Sequence, residues 1–309
     1  MKNLEKIIAI IGPTASGKTD KAIKLAQFLD GEIISADSRL VYKDFNIGTA
    51  KPTTQELAII PHYMIDLVTP EEEFTVNLFR NQADNLIQDI LSRGKVPIIA
   101  GGTGFYIKAL LEGFDIPEVK PNNEFREEMR KLVEENGREY LHKLLMEKDP
   151  KTASKLYIND SFRVIRALEV IQALGKPMSE VQTKTGAKYN IIYAGLCTEN
   201  RDYLYERINR RVDIMISQGL VKEVKSLIEK YGKTISLLKT LGYKEICEYL
   251  DGLYSEEEAI EQIKKNTRNY AKRQLTWFRA NKEAKWYFID NLTSEEICSN
   301  IIETYQNSW

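Results

Sequence analysis

The chain has 309 residues, 43% of them apolar, enough to bury one large core or two smaller ones, which excludes disorder as its ground state. Lys and Arg total 44 against 45 acidic residues, so no global positive field marks a nucleic-acid binder and any basic surface must be local. Cys197, Cys247 and Cys298 lie too far apart in sequence for a disulfide framework or a cysteine zinc site, and no run approaches the ~20 apolar residues that span a bilayer, so a cytoplasmic protein with reduced thiols and no membrane association is expected.

Lys6 to Ile11 form a β-branched run with little alternation, the pattern of a strand buried on both faces of a parallel sheet. Gly12-Pro13-Thr14-Ala15-Ser16-Gly17-Lys18-Thr19 follows and fits G-x-x-x-x-G-K-[ST] without a gap. A helix with Ala22, Leu25, Ala26 and Leu29 on one face then runs to Asp30-Gly31. Glycines at 12 and 17 let successive N–H groups and the helix N-terminus converge on one anion. Lys18 adds a point charge, and the Thr19 hydroxyl is placed to offer a ligand to Mg²⁺. The octet leaves open which phosphate ester it holds.

A second strand, Glu32 to Ala36, ends at Asp37-Ser38-Arg39. Neighbouring strands of an open α/β sheet share a crevice at their carboxyl ends, so Asp37 is expected to face the octet. A carboxylate beside a bound anion is unfavourable unless a cation or a proton-transfer task offsets the repulsion. That placement points to chemistry, with a helix-capping aspartate as the alternative. Asp66, after Tyr63-Met64-Ile65, is a further candidate carboxylate for Mg²⁺.

A helix from about Asn77 to Arg93 carries Phe79, Leu86, Ile87, Ile90 and Leu91 at helical spacing. The third strand, Val96 to Ala100, ends in Gly101-Gly102-Thr103-Gly104 and not in the aspartate with which a kinase completes its metal site. Thr103 is either a substrate-binding hydroxyl or part of a simple turn.

After Pro117 the texture turns Lys- and Glu-rich, with helices expected over Asn123–Asn136, Arg138–Glu147 and Asp160–Leu174. Asn190 to Leu196 returns to strand texture. Residues 118–189 are therefore expected to form a helical insertion, and 1–117 with 190–309 the catalytic core. In Phe162-Arg163-Val164-Ile165-Arg166, the two arginines share a helix face as phosphate contacts or as solvated charges. Between Arg201 and Ser226 a helix carries Arg207, Arg210 and Arg211, the last a candidate diphosphate ligand, with Ile208, Val212 and Met215 packing inward before Gln218-Gly219. Lys264, Lys265, Arg268, Lys272, Arg279 and Lys282 fall within about 100° of one another on a helix, opposite Ile263, Tyr270 and Trp277. That stripe suits a phosphate backbone or is a solvated basic face.

Taken together, GPTASGKT, SADSRLVYKDFNIGTAKP from Ser35, GGTGFYIKALLEG from Gly101, DSFRVIRALEV, LGYKE from Leu241 and TRNYAKRQLTWFR from Thr267 resemble the tRNA dimethylallyltransferases of bacterial type over nearly the whole chain. The resemblance implies an α/β, P-loop NTPase-like three-layer fold with a parallel sheet and a helical insertion domain that contacts tRNA, acting as a monomer. It implies transfer of the dimethylallyl group of dimethylallyl diphosphate to the exocyclic amine of the adenosine just 3′ of the anticodon, in tRNAs reading codons that begin with U. Mg²⁺ would be the cofactor and the tRNA anticodon stem-loop the partner. An ATP-dependent small-molecule kinase is the alternative that the octet alone supports.

Carried onto this sequence, Gly12, Pro13, Thr14, Ala15, Ser16, Gly17, Lys18 and Thr19 would cradle the diphosphate, Asp37 would accept the amine proton, and Thr103 would help position the reacting centre. Asp37, Ser38, Arg39 and Leu40 would border the flipped adenine. Phe162 to Arg166, then Gly242, Tyr243 and Lys244, and then Arg268, Lys272, Arg273, Trp277 and Arg279 match segments that face tRNA. The sequence departs from relatives at Leu40, often Gln there, and at Tyr63, where a second histidine after His62 is common.

Overall fold

In the computed structural model, which describes residues 4–114, 116–182 and 186–308, strand β1 (Lys6–Ile11) has no solvent face, and Ile7 to Ile11 are all fully buried. A strand apolar on both sides needs a layer against each, and that need sets the architecture. Six parallel strands pair in the order β3 (His62–Tyr63), β2 (Gly31–Ser35), β4 (Val96–Gly101), β1, β5 (Asn190–Cys197), β6 (Lys285–Phe288). Ile8 of β1 sits beside Ile98 of β4 on one side and Ile192 of β5 on the other.

Helices α1 (Lys18–Leu29), α2 (Thr54–Ile59), α3 (Val76–Ser92) and α4 (Gly104–Leu111) alternate with the first strands. Next come α5 (Asn123–Lys148), α6 (Pro150–Ala153), α7 (Ser161–Leu174) and α8 (Met178–Val181). After β5 follow α9 (Arg201–Ser217), α10 (Leu220–Tyr231), α11 (Tyr243–Leu250), α12 (Glu256–Arg279) and, beyond β6, α13 (Ser294–Asn307).

Strand alternation sorts the core into two faces. Ile8, Ile10, Ile33, Ile98, Ile192 and Leu196 share one cluster with Ala22, Leu25 and Ala26 of α1 and Ile297 and Ile301 of α13. Ile7, Ala9, Ile11, Ile34 and Ile99 point the other way and are equally buried. On that side α3 packs against β2 and β4, burying Phe79, Ala83, Ile87 and Ile90.

The chain divides into two compact units. One runs to Leu110 and resumes at Lys188, and the other, Leu111–Ala187, is helical. The sequence places the insertion at 118–189. The chain instead leaves the sheet unit as α4 ends, and it rejoins at Lys188 because Lys188 Nζ and Tyr189 Oη both donate to Asp84 of α3, at 2.8 and 2.6 Å. Met129, Leu141, Leu145, Val164, Ile165 and Leu168 form the core of the helical unit. Gly137, at φ 84° and ψ 169°, breaks α5 where two helices are expected. Between Arg201 and Ser226 the chain forms two helices, divided at the Gln218-Gly219 step, where Gly219 at φ +97° opens α10. Cys197 and Cys298 are buried and free, Cys247 is half-buried and free, and among the described residues no helix is long and apolar enough to cross a membrane.

At the N-terminal end of β2, the Glu32 side chain is 3% exposed. It accepts bonds of 2.6 and 2.7 Å from Arg93 and one of 2.8 Å from Tyr63 Oη, with Lys95 at 3.2 Å. The Arg93 guanidinium first, then Tyr63 and Lys95, hold its carboxyl down to about 2 against the opposing effect of burial. A carboxyl depressed by folding adds stability that is complete above its usual pKa of 4.5 and lost as pH falls toward 2. Glu32→Gln is therefore expected to lower stability at pH 7 by about 2–3 kcal/mol and to flatten the acid limb of a thermal-melt series over that window. An unchanged acid limb would contradict the linkage.

Candidate functional site

Three strand ends open on one crevice: β1 at Gly12, β2 at Asp37 and β4 at Thr103. The loop after β1 turns through positive φ at Gly12 (+149°), Ala15 (+62°) and Gly17 (+84°). A Cβ on Gly12 would lie 2.6 Å from the Leu196 carbonyl oxygen, so the first turn of the loop admits only glycine. Arg207 of α9 holds the strained Ala15 by donating from Nε to its carbonyl at 2.8 Å. Gly17 starts α1 with no side-chain cap, leaving the opening turn without a side-chain acceptor and aimed as an anion cradle.

Lys18 folds over this loop, its Nζ donating to the Gly12 and Pro13 carbonyls at 3.0 and 2.7 Å. Burial in the recess, and then the Arg211 guanidinium, push its ammonium down to about 7, with the Asp37 carboxylate opposing the shift. Arg211, one turn beyond Arg207 on α9, is itself lowered by burial, again opposed by Asp37. Two recessed cations and one carboxylate therefore share a site that is short of negative charge.

The Asp37 Oδ1 accepts the Arg39 N–H at 2.9 Å. No helix begins there, so the capping alternative gives way to a side-chain-closed turn. Thr103 Oγ1 accepts the Ser38 N–H at 2.9 Å and lies 3.3 Å from Ser38 Oγ, while its own N–H donates to the Ala36 carbonyl at 3.1 Å. Thr103 is thus a turn residue whose hydroxyl also clamps the turn after β2. Tyr270 of α12 borders the same crevice, its hydroxyl pushed up to about 12 by burial first and by Asp37 second. Tyr106 stacks on Phe79 with ring centroids 4.1 Å apart, and burial, then Tyr42 and Asp37, raise its hydroxyl as well.

Thr19 is exposed on the first turn of α1. Asp66 sits at φ +54° and pairs with Lys51. Arg39 is exposed, and the Leu40 carbonyl accepts the Asp66 N–H at 3.0 Å. In the helical unit Val164 and Ile165 are buried, Phe162 is 74% exposed, and Arg163 pairs with Asp160. Arg166 is bound to Glu169 and to the Val119 carbonyl. Gly242 and Tyr243 are buried, Tyr243 Oη donating to Glu223 at 2.8 Å. Lys244 is exposed beside Glu248.

The basic stripe of α12 is partly engaged by its neighbour α9. Lys264 pairs with Asp213 at 2.9 Å, Arg268 donates to Asn209 Oδ1 at 2.7 Å, and Lys272 lies over the Tyr205 ring at 5.7 Å. Asp213, Asn209 and Tyr205 all belong to α9, so three of the stripe's charges pack one helix on the other. Lys265, Lys272, Arg273, Trp277, Arg279 and Lys282 are exposed all the same, with Arg273 over the Tyr270 ring.

Two residues of the site are not singled out by the sequence, although Gln274 lies within the TRNYAKRQLTWFR block. One is Arg207, read from the sequence only as one of several helical arginines. The other is Gln274 of α12, buried at 7% exposure between the loop after β1 and the glycine turn after β4. Its placement on the Ile263–Tyr270–Trp277 face of the helix is the other clue the sequence held.

The chain matches the family described as IPP transferase over residues 40–281 and that described as isopentenyl transferase over residues 5–70. It is 49% identical over 304 residues to the tRNA dimethylallyltransferase of Caldanaerobacter subterraneus, covering 96% of each chain. It is 48% identical to that of Halothermothrix orenii, covering 96% of this chain and 91% of that one. Among solved structures, the full-length tRNA isopentenylpyrophosphate transferase of Bacillus halodurans is 41% identical with a TM-score of 0.72, over 97% of this chain and 96% of that one. A eukaryotic dimethylallyltransferase acting on tRNA aligns with a TM-score of 0.80 at 31% identity, over 97% of this chain and 80% of its own.

The depressed ammonium of Lys18 gives the anion site a pH signature. The free protein titrates it near pH 7, whereas an anion over the loop favours the charged form, so binding above that pH takes up a proton. Affinity for inorganic diphosphate is expected to decline as pH climbs above 7, the Lys18 contribution approaching about tenfold per pH unit. Calorimetry at pH 8 in two buffers of different ionisation heat should show greater proton uptake by the wild type than by Lys18→Met. Equal uptake by the two proteins would sink the assignment.

Proposed function

The chain belongs to the IPP transferase family, the tRNA dimethylallyltransferases, and we propose that it transfers the dimethylallyl group of dimethylallyl diphosphate to the exocyclic amine of the adenosine 3′-adjacent to the anticodon. The substrates are tRNAs reading codons that begin with U, the product leaves with diphosphate, and the reaction runs in the cytoplasm. What supports this assignment is a single crevice that holds an anion cradle, two recessed cations and one carboxylate from the next strand. The relatives above are named for prenyl transfer to tRNA, and phosphoryl transfer to a small molecule finds no support among them.

The loop N–H groups, Lys18 and Arg211 hold the diphosphate. As the allylic C–O bond breaks, its electron pair passes to the diphosphate oxygen, and these preorganised donors stabilise the charge that develops there. The adenine amine is a poor nucleophile because its lone pair is delocalised into the ring. Asp37 accepts a hydrogen bond from it and then takes its proton as the new C–N bond forms, leaving a neutral secondary amine. Thr103 fixes the turn that carries Asp37 through its bond to Ser38. The base has to leave the anticodon stack to reach this point, which costs a few kcal/mol that stacking and phosphate contacts offset.

Mg²⁺ suits the donor set. Among the described residues no cluster of three or more His, Cys, Asp or Glu could hold a metal unaided. Mg²⁺ takes one or two protein oxygens and completes its shell with substrate phosphates and water, so the Thr19 hydroxyl beside the cradle is the protein ligand of choice. When bound it would neutralise charge on the leaving diphosphate.

Mass spectrometry of nucleosides from tRNA incubated with the protein, dimethylallyl diphosphate and Mg²⁺ tests the assignment, and tRNA recovered without the prenyl group would refute it. Asp37→Ala is expected to lower kcat by about 10²- to 10⁴-fold while filter binding shows tRNA affinity retained. Full turnover by that variant would remove Asp37 as the proton acceptor.

A further inference from the structure

The two halves of the reaction are held by two different loops. The diphosphate end belongs to the loop after β1, and the base end to the turns after β2 and β4. Between them stands one side chain. Gln274 Oε1 accepts the Thr14 N–H at 2.8 Å, and its Nε2 donates to the Gly102 carbonyl at 2.9 Å. A Cβ added at Gly102 would meet that Nε2 at 2.5 Å, so the turn after β4 is shaped around the carboxamide. Gly102 is followed by Thr103, which clamps Ser38 beside Asp37.

We propose that Gln274 is a positioning residue for prenyl transfer, locking the anion loop to the Thr103 turn so that the leaving diphosphate and the proton-accepting carboxylate are set at a fixed separation. The inference rests on prenyl transfer as the reaction. A carboxamide is the side chain this task needs, since one end must accept from a backbone N–H while the other donates to a backbone carbonyl. Gln274 touches neither the anion nor the carboxylate. Its effect runs through geometry, and a misplacement of about 1 Å at a reacting centre can cost on the order of 10²-fold in rate. The anion cradle has further anchors, Arg207 at Ala15 and Lys18, so substrate binding does not rest on this link alone.

The test is a kcat-against-KM split. Gln274→Ala is expected to lower kcat for prenyl transfer by about 30-fold, within that limit, with KM for dimethylallyl diphosphate and for tRNA each within about threefold of wild type. Gln274→Glu keeps the acceptor for Thr14 but sets a buried carboxylate oxygen against the Gly102 carbonyl, so its kcat should fall at least as far as that of Gln274→Ala. Gly102→Ala displaces the carboxamide and should reproduce the loss. Combined with Gln274→Ala it should add nothing further, the signature of one shared contact. Thermal melts of all four proteins report folding separately. A kcat loss that disappears when Gln274→Ala is assayed at a temperature matched for folded fraction, a loss carried wholly by KM, or additive effects in the double variant would overturn the proposal. Wild-type protein that leaves tRNA unmodified refutes the function itself, whereas a wild type that prenylates as fast as Gln274→Ala refutes only the role of Gln274.

Discussion

Like charges crowded into one recess are the constraint from which the rest of this molecule follows. Lys18 and Arg211 lie close enough to depress one of the pair, and burial adds to the cost of both. An arrangement of this kind persists only where the surrounding structure imposes it. The central strand imposes it on Lys18, because fully buried Ile7 to Ile11 leave no freedom in where the loop emerges. Helix α9 imposes it on Arg211, being fastened to α12 through Asp213, Asn209 and Tyr205. The recess holds two cations against the one carboxylate of Asp37, which opposes the lowering of both.

Much of this was legible in the sequence, and for identifiable reasons. A β-branched run followed by a gapless glycine-lysine octet and a helix is local information, and strand β1, the loop and α1 came out as expected. Asp37 could be placed in the crevice because parallel strands share their carboxyl ends, a rule of topology that needs no knowledge of side chains. The break at Gly137 was readable for the same local reason. The Gln218-Gly219 step, where the inward apolar residues of α9 end, is local information of the same kind.

What escaped was everything that depends on partners distant in sequence. A stripe of lysine and arginine reads the same along its whole length, and only the packing of α9 on α12 shows which of its charges also meet acidic, amide and aromatic side chains of a neighbouring helix. Gln274 reads as an ordinary polar residue in a helix, because its two partners are backbone groups of other loops. Val164 and Ile165, taken with their flanking arginines as one RNA-facing block, fall on the inward side of α7, while Arg166 is bound to buried Glu169. Periodicity separates such faces, whereas motif matching blurs them.

The bonds that complete the crevice reach a long way along the chain. Arg207 grips Ala15 across 192 residues and Gln274 grips Thr14 across 260. Loops closed over such distances form late, since their entropic cost comes before any reward. On the ribosome the octet emerges first and stays incomplete until α12 has been synthesised. A nascent chain interrupted before that helix therefore carries the recognisable motif with its loop still unlinked to the turn after β4.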